Sequence, residues 1–283
     1  MMRTVFPSMG TMIDVSAPDE RGMAATRALF ESVEASCSRF LLDSELTRVN
    51  DDPGTHIPLS ATMASALQAA DHARSISGGL VDAGVGSSVH AWGYDRTFAA
   101  VAERDRHREP ERVAETEWSL NGATLFRVPG TRIDLGGIAK GWTCDLAVEA
   151  GDASVVSAGG DVRSSNSETT VEVVDPWGET VSTIHLGVGA LATSSVSRRR
   201  WIVDGAEVSH LIDPRTMRPT RSPVLSATAI TETAVEAETA AKTVLLRGAD
   251  GLVWADRQPW IRAALVVWND GSVYGTTGME IAA

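Results

Sequence analysis

The sequence predicts an α+β fold, and three observations carry this. Segments that alternate like strands are interleaved with segments of helical period. Several strand-like pairs are joined by short turns and read as antiparallel hairpins. No internal repeat and no composition break marks a linker. The 283 residues, 43% hydrophobic and 22% charged, suffice for one large domain or two tightly joined lobes.

Residues 9–16 alternate Met9, Thr11, Ile13, Val15 and predict a strand. Pro18-Asp19 opens a helix to about Cys37. Asp43-Ser44 caps a short helix ending near Asn50, Pro53-Gly54 is a turn, and Ser60 caps a helix to about Ser77 that Gly78-Gly79 ends. Residues 80–94 are glycine-rich, and 96–117 read as a solvated helix or loop. A strand over 124–128 turns at Pro129-Gly130 and leads through IDLGGIAKG (133–141) into a helix over 142–150 that Gly151 stops. A short strand over 154–157 reaches a turn at 158–161, and 169–174 with 181–186 form a hairpin around Asp175-Pro176-Trp177-Gly178. Residues 190–197 are small and polar. A strand over 226–231 precedes a helix over 233–247 with Gly248 at its C-cap, and 262–268 with 272–275 close the chain as a hairpin around Asn269-Asp270-Gly271.

The net charge of −12 argues against a general nucleic-acid or anionic-membrane surface, so an anionic ligand needs a local positive site. Cys37 and Cys144 form no C-x-x-C and, lying in expected helices, read as buried small hydrophobes. The six histidines show no metal-ligand spacing. No run reaches membrane-spanning length, and the first residues lack a signal-peptide pattern, which leads to the expectation of a cytoplasmic protein.

Chemistry concentrates in a few places. In IDLGGIAKG two adjacent glycines stand where a strand hands over to a helix. There a ligand can approach bare backbone, and the first helical N–H groups suit phosphate, with Lys140 adding a full charge. A tight turn with a surface lysine explains the same residues, and the segment is not a Walker A loop. On the 233–247 helix, at about 100° per residue, Ala234, Ala237, Ala241, Val244 and Leu245 share a face, and Glu238 and Lys242 fall inside its apolar arc. An exposed i, i+4 pair would contribute only about 0.3–0.5 kcal/mol, but charges on a core-facing stripe need a partner or a ligand. Asp134, Asp161 and Asp213 sit beside glycine or proline turns, as ligand acceptors or as Asx turns. His210 is a catalytic or a structural histidine. Arginines 198–200, 215, 218 and 221 make this part of an acidic chain locally basic, a patch suited to a diphosphate or simply solvated.

Taken in order, these segments resemble the ApbE-type flavin transferases (FAD:protein FMN transferases). The matching run is Met9-Gly10-Thr11, Ser38-Arg39-Phe40 with Asp43-Ser44-Glu45 and Asn50, Gly78-Gly79-Leu80-Val81-Asp82, and Trp92-Gly93-Tyr94. It continues through IDLGGIAKG with Asp145, SAGGDVR at 157–163, ATSS at 192–195, SHLIDPRT at 209–216 and the Glu238/Lys242 helix. The resemblance covers almost the whole chain. It implies one domain over 1–283 of two tightly joined lobes, with mixed sheets, flanking helices and an FAD cleft between the lobes. It implies FAD contacts at Met9, Phe40, Leu80, Val81, Asp82, Asp134, Lys140 and Ile212, and a transfer histidine at His210. It also implies Mg2+ on the Gly137 carbonyl and Glu238. The implied reaction splits the FAD diphosphate, attaches FMN to a threonine or serine of an acceptor flavoprotein, and releases AMP. An FAD diphosphate hydrolase and a non-catalytic flavin-binding protein are the alternatives.

The chain departs from the family pattern in three places. The usual aspartate and threonine metal ligands fall at Glu238 and Lys242, and an ammonium cannot ligate a cation. Ala83 and Gly84 follow Asp82 where proline and threonine are usual. Ser195 and Met217 replace common glycines.

Overall fold

Met9 and Gly10, with φ of 50° and 69°, close a two-residue hairpin between strands Met2–Ser8 and Thr11–Ala17. Two successive positive φ values give the turn whose twist matches antiparallel strands. The structure is a computed structural model and describes residues 1–102, 110, 117–277 and 279. The sequence led to one strand over 9–16. The first strand is hidden by Pro7, which the fold tolerates because Met2–Ser8 is an edge strand.

The described residues divide into two compact units, each assembled from separated segments. The first takes Met1–Ser32, Lys140–Ser197 and Ser222–Ala283, and the second takes Val33–Ala139 and Arg198–Arg221. The mixture of sheets and helices is the α+β class expected.

The first unit holds an eight-stranded sheet in which every neighbouring pair is antiparallel. Its order is Met2–Ser8, Thr11–Ala17, Val155–Ala158, Asp161–Ser164, Gly189–Ser195, Val224–Thr231, Ala263–Trp268, Val273–Gly275. Strand Gly189–Ser195 shows how both faces are filled. Ala190 and Ala192 join a core with Phe6, Ile13, Phe30, Cys144, Ala234 and Ala237. Leu191, pointing the other way, packs with Val173 and Ile184 of the separate hairpin Thr170–Val174/Thr180–His185. The sequence does not show 190–197 as a strand, because Gly-Ala-Leu-Ala-Thr-Ser-Ser has little β-branched content. Small residues are what let helix Ala234–Arg247 lie close over it. That helix starts at Thr233 with a full capping box to Glu236 and ends at Gly248, φ 59°. Helix Ala139–Glu149 begins three residues before the expected 142, so Lys140 lies in its first turn.

The second unit holds the sheet His56–Pro58, Thr124–Arg127, Trp118–Asn121. Its helices include Glu45–Asp51, capped by Ser44, and Ala61–Ile76, capped by Ser60, both as expected. Within the glycine-rich 80–94 stretch lies the short helix Gly86–Ala91. A Cβ on Gly86 would come within 2.5 Å of the Arg132 carbonyl oxygen, so only glycine allows this approach. The basic region after 197 folds into hairpins Arg200–Val203/Ala206–Ser209 and Ile212–Asp213/Arg218–Pro219. Trp92, Tyr94, Trp201, Val203 and Ile212 form one aromatic-rich core. The expected 96–117 element lies largely outside the described residues; its described part includes helix Phe98–Ala102. Among the described residues no helix is long and apolar enough to cross a membrane.

Candidate active site

In the first unit, three elements bring four charged side chains together. Lys140, in the first turn of Ala139–Glu149, places Nζ 3.0 Å from Asp161 Oδ2 and 3.1 Å from Glu238 Oε1. Lys242 Nζ donates to the same Glu238 Oε1 at 2.8 Å. Asp161 opens its strand directly after Gly159 and Gly160, whose φ of 65° and 116° make the tight turn. The carboxylate side chains are 5% exposed, whereas Lys140 and Lys242 keep 16% and 14%. The buried charges on the apolar arc therefore have partners, as the angular pattern required.

Electrostatics follow from this geometry. Burial would raise the Glu238 carboxyl, but the two ammoniums outweigh it and hold it down at about 2. Burial and the Glu238 charge push Asp161 up to about 6 against the pull of Lys140 and Lys242. Burial works against the Lys140 ammonium, yet Asp161 and Glu238 hold it well above its ordinary value. The cluster thus sets two carboxylates against two lysines.

The start of helix Ala234–Arg247 is closed by a side chain. Asp145 accepts from the Ala234 and Val235 N–H groups at 2.7 and 3.0 Å and pairs with Arg163 Nε at 3.1 Å. Burial nevertheless pushes its carboxyl up to about 6.

In the second unit, Asp134 Oδ2 pairs with Arg39 Nε at 2.8 Å, while Oδ1 accepts from the Gly136 N–H at 2.7 Å. The Arg39 guanidinium lies 4.1 Å from the Phe40 ring centre and 4.3 Å from that of Tyr94. Asp82 Oδ1 accepts from the Gly84 N–H and from Trp118 Nε1, both at 2.7 Å. Asp213 accepts from the Arg215 N–H at 3.0 Å. Asp82, Asp134 and Asp213 are thus all turn-forming aspartates, and the first two also hold a side chain from elsewhere in the fold.

The model of the ApbE family matches residues 9–265. This chain belongs to the ApbE family. A relative from Vibrio cholerae named FAD:protein FMN transferase is 24% identical over 301 residues, covering 94% of this chain and 87% of the relative. One of the same name from Rhodobacter capsulatus is 33% identical over 220 residues, 71% of this chain but 42% of the relative. The crystal structure of the ApbE protein from Thermotoga maritima matches with a TM-score of 0.85 at 23% identity, over 98% of this chain and 97% of that one. The flavin transferase ApbE of Vibrio cholerae matches with a TM-score of 0.76 at 24% identity and the same coverage. These structural matches establish the fold.

The residues expected from the resemblance fall in both units. Phe40, Leu80, Val81, Asp82, Asp134, Gly137, His210 and Ile212 belong to the second unit; Met9, Lys140, Glu238 and Lys242 belong to the first. Leu80, Val81 and Ile212 have buried side chains, while Phe40 is exposed. His210 is half-buried, and its backbone N–H donates to the Arg199 carbonyl at 3.2 Å. Met9 sits in the positive-φ hairpin turn and packs on the first unit's core. The expected basic patch is already engaged in part. Arg200 pairs with Glu207, Arg215 pairs with Asp213, and Arg218 lies 5.7 Å from the Trp92 ring centre.

The donors around Glu238 do not suit a hydrated divalent cation. Oε1 is engaged by two ammoniums. Oε2 has no hydrogen-bond partner but faces backbone: a Cβ on Gly141 would come within 3.1 Å of it and 3.0 Å of the Ala234 carbonyl oxygen. Mg2+ demands near-octahedral oxygen ligands, and an ammonium supplies none. Among the described residues no three His, Cys, Asp or Glu side chains gather into a metal site.

Asp145 and Arg163 are legible only as members of matching motifs, and Asp161 also as an aspartate beside a glycine turn. Their pairings join residues far apart in sequence, and no local pattern encodes them. Arg39, adjacent to Phe40, had one usable signal: a lone arginine beside an aromatic in a short interhelical loop.

Proposed function

We propose that this ApbE-family chain is an FAD:protein FMN transferase. It splits the FAD diphosphate, attaches FMN by a phosphoester to a threonine or serine of an acceptor flavoprotein, and releases AMP. What carries the proposal is the family match, which runs through every segment bearing a candidate residue. The acceptor hydroxyl oxygen bonds to the FMN-side phosphorus. The bond from that phosphorus to the bridging oxygen breaks, and AMP leaves with the bridging oxygen and its electron pair. His210 takes the hydroxyl proton as general base. The Lys140 ammonium, held by two buried carboxylates, offsets charge on the diphosphate without reorganising. Asp134, fixed by Arg39, and Asp82, fixed by Trp118, present carboxylates to polar groups of FAD. Met9, Phe40, Leu80, Val81 and Ile212 supply the remaining contacts. No step passes through Mg2+, because the donors at Glu238 do not suit it.

The proposal is tested by incubating the protein with FAD and an acceptor domain and measuring the acceptor's intact mass. A gain of one FMN on a threonine or serine supports it. Free FMN and AMP with an unchanged acceptor would show a diphosphate hydrolase, and bound but intact FAD a flavin-binding protein.

A further inference from the structure

The Lys140/Asp161/Glu238/Lys242 cluster is already electrically complete. Two carboxylates face two ammoniums, and the closest contact is between Lys242 Nζ and Glu238 Oε1 at 2.8 Å. A dication added here would leave an excess of positive charge in a buried site, where repulsion is poorly screened. The donors are also taken. Lys140 and Lys242 both occupy Oε1, and Oε2 faces Gly141, where a Cβ would stand 3.1 Å from it.

The cluster is nevertheless built to present positive charge. The carboxylates are the deeper members, and the two ammoniums hold the exposed fraction. A lysine ammonium is a compact charge with three N–H donors on a flexible stem, so it can hold Glu238 and a phosphate oxygen at once.

We propose that the Lys242 ammonium, seated on Glu238, replaces a divalent cation in this chain and supplies positive charge to the substrate diphosphate directly. The role at phosphate rests on the transferase reading above; the replacement of the ion does not. Lys242 is then a catalytic residue, and its counter-ion Glu238 fixes its position.

Two measurements test this. In the first, the protein without FAD is titrated with Mn2+, and unbound Mn2+ is followed by electron paramagnetic resonance. The wild type is expected to show no stoichiometric site, whereas Lys242→Thr, which restores an oxygen donor and removes the ammonium, gains one. A wild-type protein that binds one Mn2+, with that site abolished in Glu238→Gln, overturns the proposal. In the second, FMN transfer from FAD is timed in EDTA and in excess Mg2+. The wild-type rate is expected to change by no more than roughly twofold. Lys242→Thr falls by about 10²-fold or more in EDTA and recovers with Mg2+, as expected when one stabiliser of transition-state charge is lost and another is supplied. A wild type that is silent in EDTA and active in Mg2+ overturns the proposal, even if the variant fails to fold. If no FAD is cleaved under either condition, the transferase reading fails and the phosphate role falls with it. The Mn2+ titration then decides, on its own, whether the ammonium holds the cation's place.

Discussion

Lys242 and Glu238 stand one turn apart on the buried side of helix Ala234–Arg247, joined Nζ to Oε1 at 2.8 Å. Lys140 approaches the same oxygen from a second helix at 3.1 Å, so a single carboxylate oxygen ties the two helices together. A buried charge with two partners resists protonation, and Glu238 therefore stays ionised throughout the physiological pH range.

Close approach of the two helices depends on Gly141. A methyl group there would lie 3.0 Å from the Ala234 carbonyl oxygen and 3.1 Å from Glu238 Oε2. Gly141→Ala is expected to cost about 1–3 kcal/mol through overpacking, read as a lower urea midpoint at unchanged slope. An unchanged midpoint would show that the helices can separate without loss.

Asp145 satisfies two N–H groups at the start of the Glu238 helix and the charge of Arg163. Asp145→Ala removes the acceptor of both N–H groups and the carboxylate facing Arg163, which keeps the Ser164 and Gly189 carbonyls, and is expected to destabilise by about 2–4 kcal/mol. Asp145→Asn keeps one acceptor oxygen and should fall between it and wild type. Equal stability of the three proteins in denaturant would contradict this role.

His210→Ala is expected to lower FMN transfer by about 10²–10⁴-fold, the usual worth of a general base, with FAD affinity nearly unchanged. The split between rate and affinity is measured by single-turnover transfer alongside calorimetric FAD titration. Loss of FAD binding in parallel with rate would assign His210 to binding.

Both cysteines are buried. Burial pushes the Cys37 thiol up to about 11, against a hydrogen bond with Ser36, and raises Cys144 well above its ordinary value. A raised thiol pKa keeps the unreactive protonated form through pH 8 and yields thiolate only as pH climbs towards the shifted value. The native protein at pH 8 should therefore react with neither cysteine in an Ellman assay, and with both after denaturation. Rapid labelling of the native state would contradict the burial.

How far the sequence reaches can be seen residue by residue. The helix over 233–247 is legible because its cap, Thr233, and its stop, Gly248, are local signals, and the apolar arc places Glu238 and Lys242 inside the fold. The closing hairpin is legible for the same reason, through Asn269-Asp270-Gly271. Strand Gly189–Ser195 is not. Its residues have weak strand preference, and only the sheet on both sides and the helix above it make it a strand. The partner of Glu238 across the fold, Lys140, lies 98 positions away, and the second carboxylate on Lys140, Asp161, lies 21 positions from that lysine, so spacing along the chain cannot pair them. Asp134 and Asp213 show the middle case. Their turn geometry is local and readable, whereas Arg39 reaches Asp134 through tertiary packing.

The most direct measurement of the proposed activity is a single time course in which AMP released from FAD and flavin bound to an acceptor domain are both quantified. The transferase account predicts one AMP for each flavin attached, and no attached flavin when the acceptor threonine or serine is replaced by alanine. AMP accumulating with free FMN, and no flavin on the acceptor, would contradict it.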